Sequence, residues 1–117
     1  MNDRDVATGV VWGPFGEVPG REAVPGITMR PISGERLMLC WVELRPNAVL
    51  PDHHHPHEQG GVVLDGELNL TVAGVTKRLT AGDGFVIPGD VPHSAVAGPD
   101  GARTLDVFTP PREDFLA

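Results

Sequence analysis

Fifteen glycines and twelve prolines are spread almost evenly along these 117 residues, leaving no uninterrupted window for an amphipathic helix. Proline in a helix interior lacks the donor its turn needs, and glycine there loses conformational freedom without gaining contacts. Between the turn signals lie short apolar or alternating runs, the pattern of an antiparallel β-sandwich or barrel. The chain therefore predicts an all-β fold and a single domain over residues 1–117.

The runs differ in character. Residues 1–35 are the least regular, broken by Gly13-Pro14, Pro19-Gly20, Pro25-Gly26 and Ser33-Gly34. The stretch Leu37-Met38-Leu39-Cys40-Trp41-Val42-Glu43-Leu44 is apolar on both faces and predicts a central strand. Val62-Val63-Leu64 leads to an expected turn at Asp65-Gly66; then Leu68, Leu70 and Val72 alternate with Glu67, Asn69 and Thr71 as a half-buried strand. Ala73-Gly74 turns the chain into residues 75–79. Residues 85–87, 93–97 and 104–109 read as three further strands.

A net charge of −7 argues against nucleic acid, whose phosphates need a basic footprint. The apolar runs are too short to span a membrane. The opening Met1-Asn2-Asp3-Arg4-Asp5 is charged with no apolar segment after it, so no secretory leader is expected. Cys40, the single cysteine, reads as a small buried hydrophobe and suits a reducing compartment. A cytoplasmic protein acting on a small molecule is the expectation.

Four of the five histidines fall within positions 53–57, and the fifth is His93. Alternation along an extended segment puts His53 and His55 on one face and His54 on the other. Pro56 forces a turn, after which Gln59 begins a strand and can point back to the same spot. His93 follows a proline and opens a strand that can lie opposite. Three imidazoles and one amide oxygen would then surround a metal ion, imidazole being the commonest transition-metal ligand. His57, on the turn, stays open as a further ligand.

These positions resemble the two motifs of the cupin superfamily. The first is carried by Asn47, His53, His55, Gln59 and Gly66, and the second by Gly82, Pro88, Asp90, His93 and Ala97. The resemblance covers about residues 37–112 and implies a jelly-roll barrel, a metal held by His53, His55, Gln59 and His93, and a homodimer. Zinc, nickel, iron and manganese all suit such ligands. Asn47 and Asp90 stand where the motifs have glycine, and Gln59 stands where they have glutamate. A neutral amide leaves the ion its full double charge, which favours carbonyl polarisation or activated-water chemistry over oxygen activation.

In the tail, Leu105-Asp106-Val107-Phe108-Thr109-Pro110-Pro111-Arg112, Asp106 and Phe108 share one face of an extended strand. Asp106 is the candidate general acid or base, Phe108 a cavity wall and Arg112 an anion clamp; an edge strand with a solvated acid is the plainer alternative. The stretch is similar to the C-terminal signature of small cupins that process unsaturated uronates, where the matching Asp, Phe and Arg line the site. Single-domain cupin polyketide cyclases are a second similar group. Trp12, Trp41, Met29 and Met38 fit a core or a cavity wall, and Trp41 joins Phe108 as a substrate-contact candidate. The resemblance implies a metal-dependent enzyme of non-redox carbonyl chemistry. An iron dioxygenase and a non-enzymatic binding module are the alternatives.

Overall fold

Two long strands decide the architecture in the computed structural model, which describes residues 3–4 and 8–116. Most of the charged opening stretch lies outside the described residues. β1 (Asp3–Arg4) and β2 (Val11–Trp12) form a small separate ribbon. β3 (Arg21–Val24) and β4 (Ile27–Ser33) make a hairpin about Pro25-Gly26, followed by β5 (Met38–Leu44) and β6 (Val49–His53). Then come β7 (Glu58–Val72), β8 (Val75–Thr80), β9 (Gly84–Ile87) and β10 (His93–Thr109).

β7 and β10 run antiparallel along almost their whole length and belong to two layers. The first half of β10 pairs with β6 and with the second half of β7, which carries β8 on its other edge. The second half of β10 pairs with β5, itself next to β4, and with the first half of β7, which carries β9. The result is an all-β, antiparallel jelly-roll sandwich in which the same two strands pass from one layer to the other.

The transition lies where the sequence predicts a turn. Asp65-Gly66 does not reverse the chain; the ladder slips between Arg103 and Thr104 and again between Ala97 and Ala102. Gly66 has φ of +77°, and a Cβ there would lie 2.2 Å from the Gly101 carbonyl oxygen. Only glycine lets the two backbones cross so closely. The expected strands over 93–97 and 104–109 are likewise two arms of one strand.

Residues 21–33 are also more regular than their punctuation suggests, because β3 and β4 join the sheet and β4 turns Ile27 and Met29 into the core, with Ile32 buried on its other face. β5 is a central strand, as expected, between β4 and β10, but only one face is core: Met38, Cys40, Val42 and Leu44 point inward, and Leu39, Trp41 and Glu43 point outward. Among the described residues no helix is long and apolar enough to cross a membrane.

Candidate metal centre and active-site cavity

The end of β6 and the loop after it deliver His53 and His55, and the first residue of β10 delivers His93, paired across from His53. The loop is fixed from the other side. Asp90 N–H donates to the His55 carbonyl at 2.7 Å, and Gly89 packs so tightly that a Cβ would meet the Pro56 oxygen at 2.4 Å. Asn47 and Asp90, the two residues replacing motif glycines, both keep the left-handed backbone, with φ of 61° and 63°. Asparagine and aspartate tolerate that conformation best after glycine.

Ligand atoms of His53, His55 and His93 all lie within 4.8 Å of one another. Each ring turns Nδ1 to a backbone carbonyl two residues away: His53 to Pro51 at 2.8 Å, His55 to His57 at 3.1 Å and His93 to Val91 at 2.8 Å. Carbonyl partners of this kind hold the proton on Nδ1 and aim the Nε2 lone pair at a metal. His93 Nε2 is buried with no hydrogen-bond partner.

His55 poses the sharper test. Its Nδ1 faces one acceptor, the His57 carbonyl, and its Nε2 faces another, Gln59 Oε1, at 3.1 Å. A neutral imidazole has one proton, so either tautomer leaves one acceptor against an acceptor. A second proton is absent at neutral pH: burial first, then the charges of Arg112 and His93, push the His55 pKa down to about 4. Burial also lowers that of His93. A cation between His55 Nε2 and Gln59 Oε1 resolves the contact, and the residues fit a metal ion.

Gln59 ties this cluster to the acid on β10. Its Nε2 donates to Asp106 Oδ2 at 2.9 Å, while Asp106 Oδ1 is buried and unpartnered. Burial drives the Asp106 carboxyl up to about 6, opposed by the Thr104 and Gln59 side chains. Asp106 pairs across the ladder with Gly61, where a Cβ would stand 2.7 Å from Asp106 Oδ1 and 2.5 Å from Phe85 Cζ. Gly61 is thus the space that Asp106 and Phe85 occupy. Sequence reasoning missed it, although a glycine pair inside a strand signals close approach.

The cluster opens into a cavity of about 350 Å³ between the layers, whose lining includes His53, Gln59, His93, Asp106, Phe108 and Arg112. Its remaining walls are largely apolar, formed by Ile27, Met29, Val42, Leu44, Leu68 and Leu70 among others. Arg112 lies over Phe115 and pairs with Asp114, neither of which had an expected role.

Other candidates fall outside. Trp41 does not line the cavity, a correction to its expected substrate contact: strand parity puts it on the outer face of β5, stacked on Phe15 at 5.6 Å. His57 does not join the imidazole group; it stands edge-on to His55 at 5.4 Å and faces a separate depression with Glu35 and Asp114. His54 is exposed. Cys40 is buried, and desolvation followed by Asp106 pushes its thiol up to about 12, which makes it inert.

Comparison with known proteins agrees with this geometry. The family model described as "Cupin domain" matches residues 40–108. Dimethylsulfoniopropionate lyase DddW of Ruegeria pomeroyi is 34% identical over 89 residues, 76% of this chain but only 57% of that enzyme's length. Pectin degradation protein KdgF of Dickeya dadantii is 29% identical over 102 residues, 86% of this chain and 93% of that protein. The structure of polyketide cyclase RemF from Streptomyces resistomycificus superimposes with a TM-score of 0.76 at 26% identity, over 86% of this chain and 80% of that one.

Proposed function

The chain belongs to the cupin domain family, and on that premise we propose that it is a metal-dependent enzyme of non-redox carbonyl chemistry, moving a proton beside a carbonyl so that a small substrate enolises or closes a ring. When bound, a divalent transition-metal ion held by His53, His55 and His93, with Gln59 offering its amide oxygen, supplies Lewis acidity toward that carbonyl.

The observation that carries this reading is the Asp106 carboxyl. It lines the cavity, its Oδ1 is buried without a hydrogen-bond partner, and its pKa of about 6 leaves both protonation states accessible near neutrality. Gln59 holds Oδ2, which fixes the carboxyl plane and leaves Oδ1 to take or return the proton. Arg112 offers two parallel donors to a carboxylate or phenolate. Phe108 is buried beneath the Arg112 guanidinium and forms an apolar wall of the cavity. The apolar walls suit the body of a polyketide-like carbonyl compound better than a sugar acid, whose hydroxyls would lose their partners there. RemF supports the first substrate class and KdgF the second.

The test supplies metal-loaded protein with β-polyketone chains and, separately, with unsaturated uronates in heavy water. Deuterium entering beside the carbonyl is followed by NMR. Asp106→Ala is expected to lower turnover by about 10²–10⁴-fold, and Arg112→Ala to raise KM for anionic substrates. If both variants turn over like the parent protein, the mechanism is wrong. Oxygen consumption by iron-loaded protein would move the reading to a dioxygenase, and tight binding without conversion to a binding module.

A further inference from the structure

The guanidinium fork at the cavity rim already holds a carboxylate. Arg112 Nε and Nη2 donate to the two carboxylate oxygens of Asp114, at 3.1 and 2.8 Å. This is the bidentate arrangement by which arginine recognises a free carboxylate. The two partners are held very differently. The Arg112 side chain is only 15% exposed, its guanidinium carbon 4.2 Å from the Phe115 ring centre and 5.4 Å from that of Phe108. The Asp114 side chain is 56% exposed.

Main-chain anchoring separates them further. Arg21 on β3 donates to the backbone carbonyl of Asp114, so the turn Glu113–Phe115 is tied down while its carboxylate reaches water. The Asp114 carboxylate is free to turn toward water, whereas Arg112 stays packed against two rings. Both residues line the cavity that holds Asp106. Arg112 keeps the Asp114 carboxyl below the usual carboxylate range, so the fork is filled by a full negative charge at neutral pH.

We propose that Asp114 determines anion specificity: its carboxylate stands in for the anionic group of a ligand, and an anion reaches the Nε–Nη2 edge of Arg112 only by displacing it. This rests on the reading of Arg112 as the anion-binding end of the site. A pair half open to water is a weak occupant. It excludes small anions that bring nothing else, and it yields to a carboxylate whose apolar body also fills the walls. Asp114 is therefore a filter on the ligand as a whole and touches none of the reacting atoms.

Benzoate, which combines a carboxylate with an apolar ring, is the probe, with benzamide as its neutral counterpart. Calorimetric titration of the full-length protein is expected to show Asp114→Asn and Asp114→Ala binding benzoate roughly tenfold more tightly than the parent. Benzamide affinity should not change, and adding Arg112→Gln to Asp114→Asn should abolish the gain. Equal benzoate affinity in parent and both variants, or no binding by either variant, overturns the proposal. So does a matching gain for benzamide, or a gain that survives without Arg112. Benzoate is not turned over, so these outcomes stand apart from failure of the Asp106 mechanism, which only the turnover assay reads.

Discussion

Asp106 and Asp114 line the same cavity under opposite conditions. Asp106 stands near the end of β10, buried, with the Gln59 amide N–H on Oδ2 and no hydrogen-bond partner on Oδ1; desolvation outweighs the Thr104 and Gln59 side chains and its pKa rises to about 6. Asp114 stands on a surface turn with both oxygens in the Arg112 fork, and hydrogen bonding lowers its pKa. Burial and partner count, not residue type, separate a carboxyl that can carry a proton from one that is a fixed charge. The inner acid is spaced by Gly61 and linked to the imidazoles; the outer one neutralises a cation.

The inner region should be the more sensitive. His93→Ala removes one of three imidazoles and is expected to lower metal affinity by at least about a hundredfold in competition with a chromogenic chelator. Asp114→Asn should leave that affinity unchanged. Parental affinity in His93→Ala would dissolve the distinction between the two regions.

Asp106→Asn should stabilise the metal-free protein at neutral pH. The folded pKa of about 6 lies above the ordinary 3.8, so the fold prefers the protonated acid. Parental stability then falls as pH rises from about 4 to about 6 and stays reduced above that. A gap of this size is worth up to about 3 kcal/mol. Urea unfolding should show the variant's advantage at about pH 8 and lose it at about pH 4; a constant difference would place the cause elsewhere.

Gly61→Ala drives a methyl into Phe85 and Asp106 and should destabilise by about 1–3 kcal/mol, lowering turnover more than it lowers the melting temperature. An alanine variant with parental stability and activity would show that Asp106 does not depend on that space. The smallest effect belongs to the rim: Asp114→Asn should change stability by less than about 1 kcal/mol. Its contribution is present above the unfolded pKa and fades as pH falls through the lowered folded one. A loss well beyond that would make the turn part of the core.

The imidazole cluster was legible because His53, His55 and His93 carry their meaning in spacing alone. Alternation likewise gave the second half of β7, and an unbroken apolar run gave β5. β4 was obscured by Pro25-Gly26 and by Pro31, which is tolerated because it lies beyond the last residue paired to β3, where only β5 is a neighbour. Gly66 looked like a turn because a left-handed glycine serves a bulge as readily as a reversal. Trp41 was misassigned because a strand apolar on both faces does not reveal its parity. The bond from Gln59 to Asp106 depends on the register that sets Phe108 opposite Gln59 and Asp106 opposite Gly61. The Arg112–Asp114 pair depends on a turn that no apolar pattern announces.

The long ladder between β7 and β10 has a consequence in time as well as in space. Glu58 pairs with Thr109 at one end and Val72 with His93 at the other, so each rung closes a loop before it returns any contact energy. A topology so rich in distant pairings places folding on the order of milliseconds to seconds. The last ligand in the sequence, His93, meets His53 only once β10 has paired with β6. A metal ion finds all three imidazoles together only in the folded chain, so it raises stability with metal concentration by mass action, less whatever the neighbouring histidines 53–57 hold in the unfolded chain.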